Sequence, residues 1–298
     1  MSEAKDPGVG SKYGNVSRII NEDGSYNIKR LGGMHSFRDM YKYLTEIRWG
    51  TFFLWTISTY LLINILFAAF YMAGGIEDIS GINQKSNYFL NAFFFSVQTF
   101  TTVGYGFLAP VGPTAGIIST IEAFIGLMYF ALITGLLYGR FSKPSSKISF
   151  AKNIILTDFE DGKAIMFKMV NMRNSVLLKA SVNCTLLMND ASQNRSFHRI
   201  PLELDYIQFF PLTWTVVHKI TEDSPFYQLN AEEIKAREAE LLVMVEAFDE
   251  TFAQNVIEKC SFAGSQWIEG MKFKRNFSPN EKGEIELRLN EIDEVEAI

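Results

Sequence analysis

The sequence predicts an α-helical membrane domain of two spans with a re-entrant segment between them, followed by an all-β sandwich. Three observations carry this. Trp49 to Ile76 contains no charged side chain, Val111 to Gly139 carries Glu122 alone, and from Ser145 onward charges return every few positions between short alternating apolar runs. The bulk composition, 48% hydrophobic with a net charge of −5, averages over two unlike halves and hides both.

Residues 1–36 form an N-terminal segment, polar and glycine-rich to about residue 33 with no apolar period. It is expected either to be poorly ordered or to pair with another element. Over 37–48, Phe37, Met40, Tyr41, Leu44 and Ile47 recur at helical spacing, with Asp39, Lys42 and Glu46 between them. That pattern predicts an amphipathic helix lying in the headgroup plane, a simple extension of the first span being the plainer alternative.

A membrane domain over 49–144 follows. Its first span, about 49–75, lies within a charge-free run of 28 residues, or roughly 42 Å of helix, against a hydrocarbon core of roughly 30 Å. The second span covers about 111–140. Eight Lys and Arg precede Trp49, whereas the connection from Glu77 to Pro110 has Lys85 as its one basic residue. By the positive-inside rule both termini are cytoplasmic, in a multi-pass protein of the cell (inner) membrane.

Between the spans, "NYFLNAFFFSVQTFT" (87–101) is apolar and aromatic but about half the length a crossing needs, so a pore helix at about 87–100 enters and returns. Non-helical backbone at membrane depth survives only where it is buried in protein or lines a watery cavity. "TTVGYG" (101–106) must therefore do one of these. Carbonyls can replace the hydration shell of a monovalent cation without a charge that traps it, and TVGYG is the established potassium-filter signature. Thr102, Val103, Gly104, Tyr105 and Gly106 are the expected filter, holding K+ through the backbone oxygens of Thr102 to Tyr105, with the Thr102 hydroxyl adding one more. Gly104 and Gly106 supply the left-handed conformations. The Tyr105 ring is expected to brace the filter against aromatics such as Phe93 to Phe95. One chain cannot surround an ion with such a loop, so a homotetramer is implied.

Residues 145–298 read as strands: Val176 to Leu187 alternates, with Leu178, Ala180, Val182, Cys184 and Leu186 on one face. Further strands are expected at 148–156, 164–171, 212–219, 241–247, 256–262, 271–277 and 285–289, which suggests a sandwich. "NAEEIKAREAE" is a surface helix with Asn230 and Glu233 placed as a capping box. Cys184 and Cys260, both in this half, suit a reducing compartment. His35, His198 and His218 are scattered, and no Gly-rich phosphate loop or metal-spaced cluster occurs. No enzyme, organic cofactor or nucleic-acid partner is expected.

The segments "AFFFSVQTFTTVGYG" (92–106), "YGRFSKP" (138–144), "SFAKNIILTDFEDGK" (149–163), "VNMRNS" (170–175), "HKITEDSPFY" (218–227) and "VEAFDETFAQ" (245–254) resemble the inward-rectifier potassium channels, particularly the prokaryotic KirBac type. The resemblance runs from about residue 37 to residue 290. It implies a pore domain with an interfacial slide helix above a cytoplasmic immunoglobulin-like sandwich that extends the permeation path. Animal relatives carry a glutamate and an arginine flanking the filter, where this chain has Gln98 and Leu108. Strong rectifiers place an acid on the inner helix, where this chain has Phe130, so weak rectification is implied. Glu250 matches the acidic residue of the loop that narrows the cytoplasmic pore, where Mg2+ or polyamines would block; a solvated turn glutamate is the alternative.

Glu122, charged within a span, is either a hydrogen-bonded acid behind the filter or a cavity-lining one. Glu122, Gly126, Phe130, Thr134 and Tyr138, each four apart, suggest one stripe facing a central axis, with Gly126 as hinge and Phe130, Thr134 and Tyr138 at the gate. Arg38, Lys42, Arg48, Arg140, Lys143 and Lys147 are candidates for anionic lipid. The rival readings are a two-span potassium channel gated by another kind of ligand-binding domain, and a membrane-anchored β-sandwich binding protein. The first would need alternating helices and a Gly-rich turn, and the second leaves TTVGYG unexplained.

Overall fold

The structure, a computed structural model, describes residues 18–21, 24–29, 31, 37–82, 87–143, 146–189 and 195–298, with the side chains of Phe37 and Arg38 outside the described part. The chain divides into a helical unit, residues 32–143, and a β unit, residues 144–298 with the first 31.

In the helical unit, α1 (Phe37–Glu46) ends two residues before the expected boundary because Arg48 is extended, with ψ 146°. Next, α2 (Trp49–Gly74) and α4 (Pro113–Phe141) have 26 and 29 residues, about 39 and 44 Å at 1.5 Å per residue. Both exceed the hydrocarbon thickness. Leu54, Ile57, Leu62 and Leu66 of α2 are exposed, while Phe52, Asn64, Phe67 and Tyr71 are buried. A helix apolar all round, with one face packed and the other open, is suited to lipid.

Between the long helices, α3 (Tyr88–Phe100) starts at Asn87, whose Oδ1 accepts the Phe89 N–H at 2.9 Å. Pro113 opens α4, where its missing N–H has no partner to lose. Two short strands, β1 (Ile79–Ser80) and β2 (Ala109–Pro110), pair antiparallel and bring the two ends of the inter-span segment together.

The β unit holds two five-stranded sheets. Its strands are β3 (Ile148–Phe150), β4 (Ile154–Phe159), β5 (Gly162–Asn171), β6 (Leu177–Asn189), β7 (Arg195–Ile200), β8 (Tyr206–Phe210), β9 (Thr213–Ile220), β10 (Glu240–Asp249), β11 (Gln254–Ala263) and β12 (Trp267–Glu269). One sheet runs β11–β10–β6–β7 with β8 also on β6, and the other β12–β4–β5–β3 with β9 also on β5. Leu156, Phe167, Val182, Cys184, Val243, Phe262 and Trp267 meet in the core between them. Phe167 and Phe262 meet across it with ring centroids 5.5 Å apart and planes tilted by 39°. Outside the sheets, β13 (Met271–Phe273) pairs with β16 (Val295–Ala297), and β14 (Phe277–Pro279) with β15 (Ile285–Leu287). Asn230 and Glu233 form the expected capping box at the start of α5 (Ala231–Ala236).

The strand pattern departs from expectation in instructive places. The expected 148–156 strand is two strands, because β3 pairs with the end of β5 and β4 with its beginning. The alternation of β6 slips at Lys179, which has φ +51° and sits where the register against β10 shifts, so Leu177 rather than Leu178 is fully buried. A bulge adds one residue and inverts the faces on one side of it.

The described part of the N-terminal segment pairs with this unit. Ile19 and Ile20 are buried against Leu187 and Phe197. The Ser261 hydroxyl donates to the Ile20 carbonyl at 2.6 Å, and the Ile19 N–H donates to the buried Glu240 carboxylate at 2.9 Å.

Candidate functional site

The loop after α3 is built by alternating backbone hand. Thr102, Gly104 and Gly106 have φ of +59°, +53° and +83°, while Val103 and Tyr105 between them stay on the negative side. In a strand successive carbonyls point to opposite faces. Alternating hand turns every second peptide over, so successive carbonyls line one side. A Cβ at Gly104 or Gly106 would meet nothing within 4 Å, so it is the dihedral and not the space that selects glycine. Thr102 is β-branched and still left-handed, a conformation that costs on the order of 1–3 kcal/mol and persists where its surroundings enforce it.

The enforcing contacts come from Gln98. Its carbonyl accepts the Val103 N–H at 3.0 Å and the Gly104 N–H at 3.3 Å. Its side-chain Nε2 donates to the Leu108 carbonyl at 3.0 Å. One residue thus holds both ends of the loop. Asp78 secures the far side: its carbonyl accepts the Val111 N–H at 2.7 Å and its Oδ2 the Thr114 N–H at 3.1 Å. Neither Gln98 nor Asp78 has a spacing signal in the sequence that marks this role.

The Tyr105 ring does not pack on Phe93 to Phe95 of its own chain. It is 82% exposed, and Phe95 instead meets Tyr71 at 4.9 Å between centroids. Among the described residues no backbone hydrogen bond ties the loop to α3 beyond Gly104, so Tyr105 leaves the helix behind.

The expected stripe on α4 is not one face. A step of four residues advances about 40°, and four steps from Glu122 to Tyr138 drift roughly 160°. Glu122 and Gly126 are buried, whereas Phe130 and Thr134 are exposed and Tyr138 is 74% exposed. A Cβ on Gly126 would lie 2.2 Å from the Phe100 carbonyl oxygen, so this glycine permits close approach of α4 to α3, and α4 runs through it without a break. It is the point of closest approach between the two helices. Phe130 lies just below, its ring 6.0 Å from that of Phe100. Glu122 is fully buried: the Tyr71 hydroxyl donates to its Oε2, and Ser96 Oγ lies against its Oε1.

The basic candidates also separate. Arg140 donates to the carbonyls of Leu44 and Ile47, each at 2.6 Å, and stacks on Trp49 and Phe52. It closes the end of α1. Lys143 pairs with Glu46 at 2.8 Å, which holds the Glu46 carboxyl below its usual range. Lys42, Arg48 and Lys147 are exposed, and the Arg38 side chain lies outside the described residues. Glu250 sits on the exposed turn between β10 and β11, at whose base Asp249 pairs with Arg173.

Residues 148–298 match the family model described as the inward rectifier potassium channel C-terminal domain, and residues 40–143 match an ion channel model. Over 286 residues the chain is 35% identical to the inward rectifier potassium channel Kirbac3.1 of Paramagnetospirillum magnetotacticum, covering 93% of this chain and 95% of that one. The chain belongs to the inward-rectifier potassium channels. This inward rectifier is also 24% identical, over 287 residues, to the G protein-activated inward rectifier potassium channel 2 of Mus musculus and of Rattus norvegicus, covering 87% of this chain and 67% of each. A solved structure of Pseudomonas fluorescens alkylpurine DNA glycosylase AlkC aligns at a TM-score of 0.23 and 8% identity, over 60% of this chain and 49% of that one, too little to carry weight. As a member of its family, the inward rectifier is a potassium-selective channel with a two-span pore and a C-terminal β-sandwich. K+ is its permeant ion.

Proposed function

We propose that four copies assemble around one axis, with Thr102 to Gly106 of each forming the wall through which K+ passes. The alternating hand of the loop carries this reading, since it gives each copy one file of carbonyls, and one file cannot replace a hydration shell. An open groove of about 570 Å³ bordered by Phe95, Gln98, Thr99 and Thr120 supports it. That groove suits the Tyr105 ring of a neighbouring copy, which would supply the bracing absent within one chain.

Both termini face the cytoplasm of a cell (inner) membrane in this reading, following the basic residues ahead of Trp49. The gate lies where exposed Phe130 and Tyr138 project from α4, since apolar rings close a pore by dewetting it. Anionic lipid acts through exposed Lys42, Arg48 and Lys147. Rectification is weak, since Phe130 offers blocking Mg2+ or polyamines no charge, and Glu250 is left as their attraction. The chain does no enzymatic chemistry and takes no organic cofactor.

Rubidium uptake by liposomes loaded with K+ tests the reading. Uptake should be competed by external K+ but not Na+, and Gly104→Val should abolish it while leaving a cross-linked tetramer. Selective uptake by the Gly104→Val tetramer would overturn it.

A further inference from the structure

Outside the filter, a chain of polar side chains is sealed among α2, α3 and α4. Glu122 of α4, Ser96 of α3 and Asn64 of α2 are all fully buried. The Tyr71 hydroxyl of α2 donates to Glu122 Oε2 at 2.6 Å. Glu122 Oε1 meets Ser96 Oγ, which also lies 3.0 Å from Asn64 Oδ1, and Asn64 Nδ2 donates to the Tyr60 carbonyl at 2.8 Å.

The protons can be counted. A carbonyl only accepts, so Tyr60 fixes the Asn64 amide with its NH2 toward that carbonyl and its Oδ1 toward Ser96. A serine hydroxyl has one proton, and two acceptors face it here. If Ser96 gave that proton to an ionised Glu122, the buried Asn64 Oδ1 would lose its donor. The carboxylate would also stand without a counter-charge, because α2 and α3 contain no Lys, Arg or His. Arg140, the basic residue of α4, is engaged at the far end of that helix. Both outcomes are costly away from water. One arrangement satisfies every group: Glu122 Oε1–H to Ser96 Oγ, and Ser96 Oγ–H to Asn64 Oδ1.

We propose that Glu122 is held as an uncharged carboxylic acid whose proton closes this chain, fixing the pore helix between the two spans and making Glu122 a positioning residue for the filter. The link to conduction is short. Ser96 precedes Gln98 by two residues on α3, and Gln98 holds the loop by its carbonyl and its amide. The inference rests on the loop being the filter.

Glu122→Gln tests it, since a glutamine amide donates to Ser96 and accepts from Tyr71 in the same pattern with no ionisable group. Glu122→Gln should keep rubidium uptake and K+ over Na+ selectivity within about twofold of the unaltered channel, whereas Glu122→Asp and Glu122→Ala should lower one or the other by about tenfold. Independently of flux, infrared spectra of the unaltered channel in lipid at neutral pH should show a protonated-carboxyl band that is missing from Glu122→Gln. Absence of that band, or a Glu122→Gln channel as impaired as Glu122→Ala, overturns the proposal. An unaltered channel that shows the band but does not conduct would instead count against the filter reading alone.

Discussion

The guanidinium of Arg140 lies 4.4 Å from the ring centroid of Trp49 while donating to the Leu44 and Ile47 carbonyls at the end of α1. The last carbonyls of a helix have no partner within it, and a planar fork at the foot of α4 supplies one from a different helix. Arg140 thereby joins the surface helix to the inner helix, beside the Lys143–Glu46 pair and the packing of Leu44 on Leu136.

Arg140→Lys should break that joint, because an ammonium on a flexible stem does not reproduce the two-pronged contact or the stacking. The expected loss is about 1.5–3 kcal/mol, the range for hydrogen bonds to charged groups. Thermal dissociation of the assembled channel in detergent would read it. A midpoint equal to that of the unaltered channel would show that the fork contributes nothing.

Gly126→Ala and Phe130→Ala should act in opposite directions. The added Cβ at Gly126 meets the Phe100 carbonyl at 2.2 Å and must push α4 from α3, so conduction or selectivity falls. With the gate as proposed at these rings, trimming Phe130 or Tyr138 should raise basal rubidium uptake with selectivity kept. If Gly126→Ala behaved as the unaltered channel, the close contact would be of no consequence to conduction.

Asp249 and Arg173 form a buried pair, their side chains 1% and 10% exposed, with the Asp249 Oδ1 also accepting the Thr251 N–H at 3.0 Å. Asp249→Asn removes the carboxylate charge that faces the Arg173 guanidinium in a buried pair, a loss of up to about 3–5 kcal/mol. Asp249→Asn should therefore destabilise the β unit and loosen the Glu250 turn. Chemical denaturation of the full chain measures the first effect, and protease cutting near Phe252 the second.

His218 is buried, its Nδ1 donating to the Pro201 carbonyl at 2.7 Å and its Nε2 accepting from the Ser224 hydroxyl at 2.8 Å. Burial holds its pKa below the ordinary 6.5. The unfolded chain then takes up the proton first, so His218 costs no stability above about pH 6.5, and stability falls as pH drops from there through the lowered native value. Melting temperatures between neutral and mildly acidic pH should fall less for His218→Gln than for the unaltered protein. Equal slopes would remove His218 as the cause.

The spans and the TTVGYG loop were legible because their signals are local: a run without charge, and glycines at two of the three loop positions with left-handed φ, Thr102 being the third. Partnerships between distant segments were not. Nothing in "IEAFIG" says that Glu122 turns to Tyr71, fifty-one residues earlier, or that Gly126 exists to admit the Phe100 carbonyl. The stripe through both was drawn with a period of four, and the helix drifts off that period. In the sandwich, β6 alternates but Lys179 hides a bulge, while "RSFHRI" and "YIQFF", which became β7 and β8, do not alternate clearly enough to stand out. The Ile19 and Ile20 docking could not be seen because two apolar residues carry no period.

The approach of Gly126 to Phe100 divides the inner helix mechanically. Above it, backbone against backbone leaves α4 no room to slide or roll on the pore helix. Below it, fifteen residues from Leu127 to Phe141, about 22 Å of rod at 1.5 Å each, end in the fork that grips α1. A rod pinned at the top and grasped at the bottom has the arms of a lever. Measured from Gly126 at 1.5 Å per residue, Tyr138 sits about 18 Å along it and Phe130 about 6 Å, so a sideways pull on the surface helix would act on Tyr138 with the longer arm.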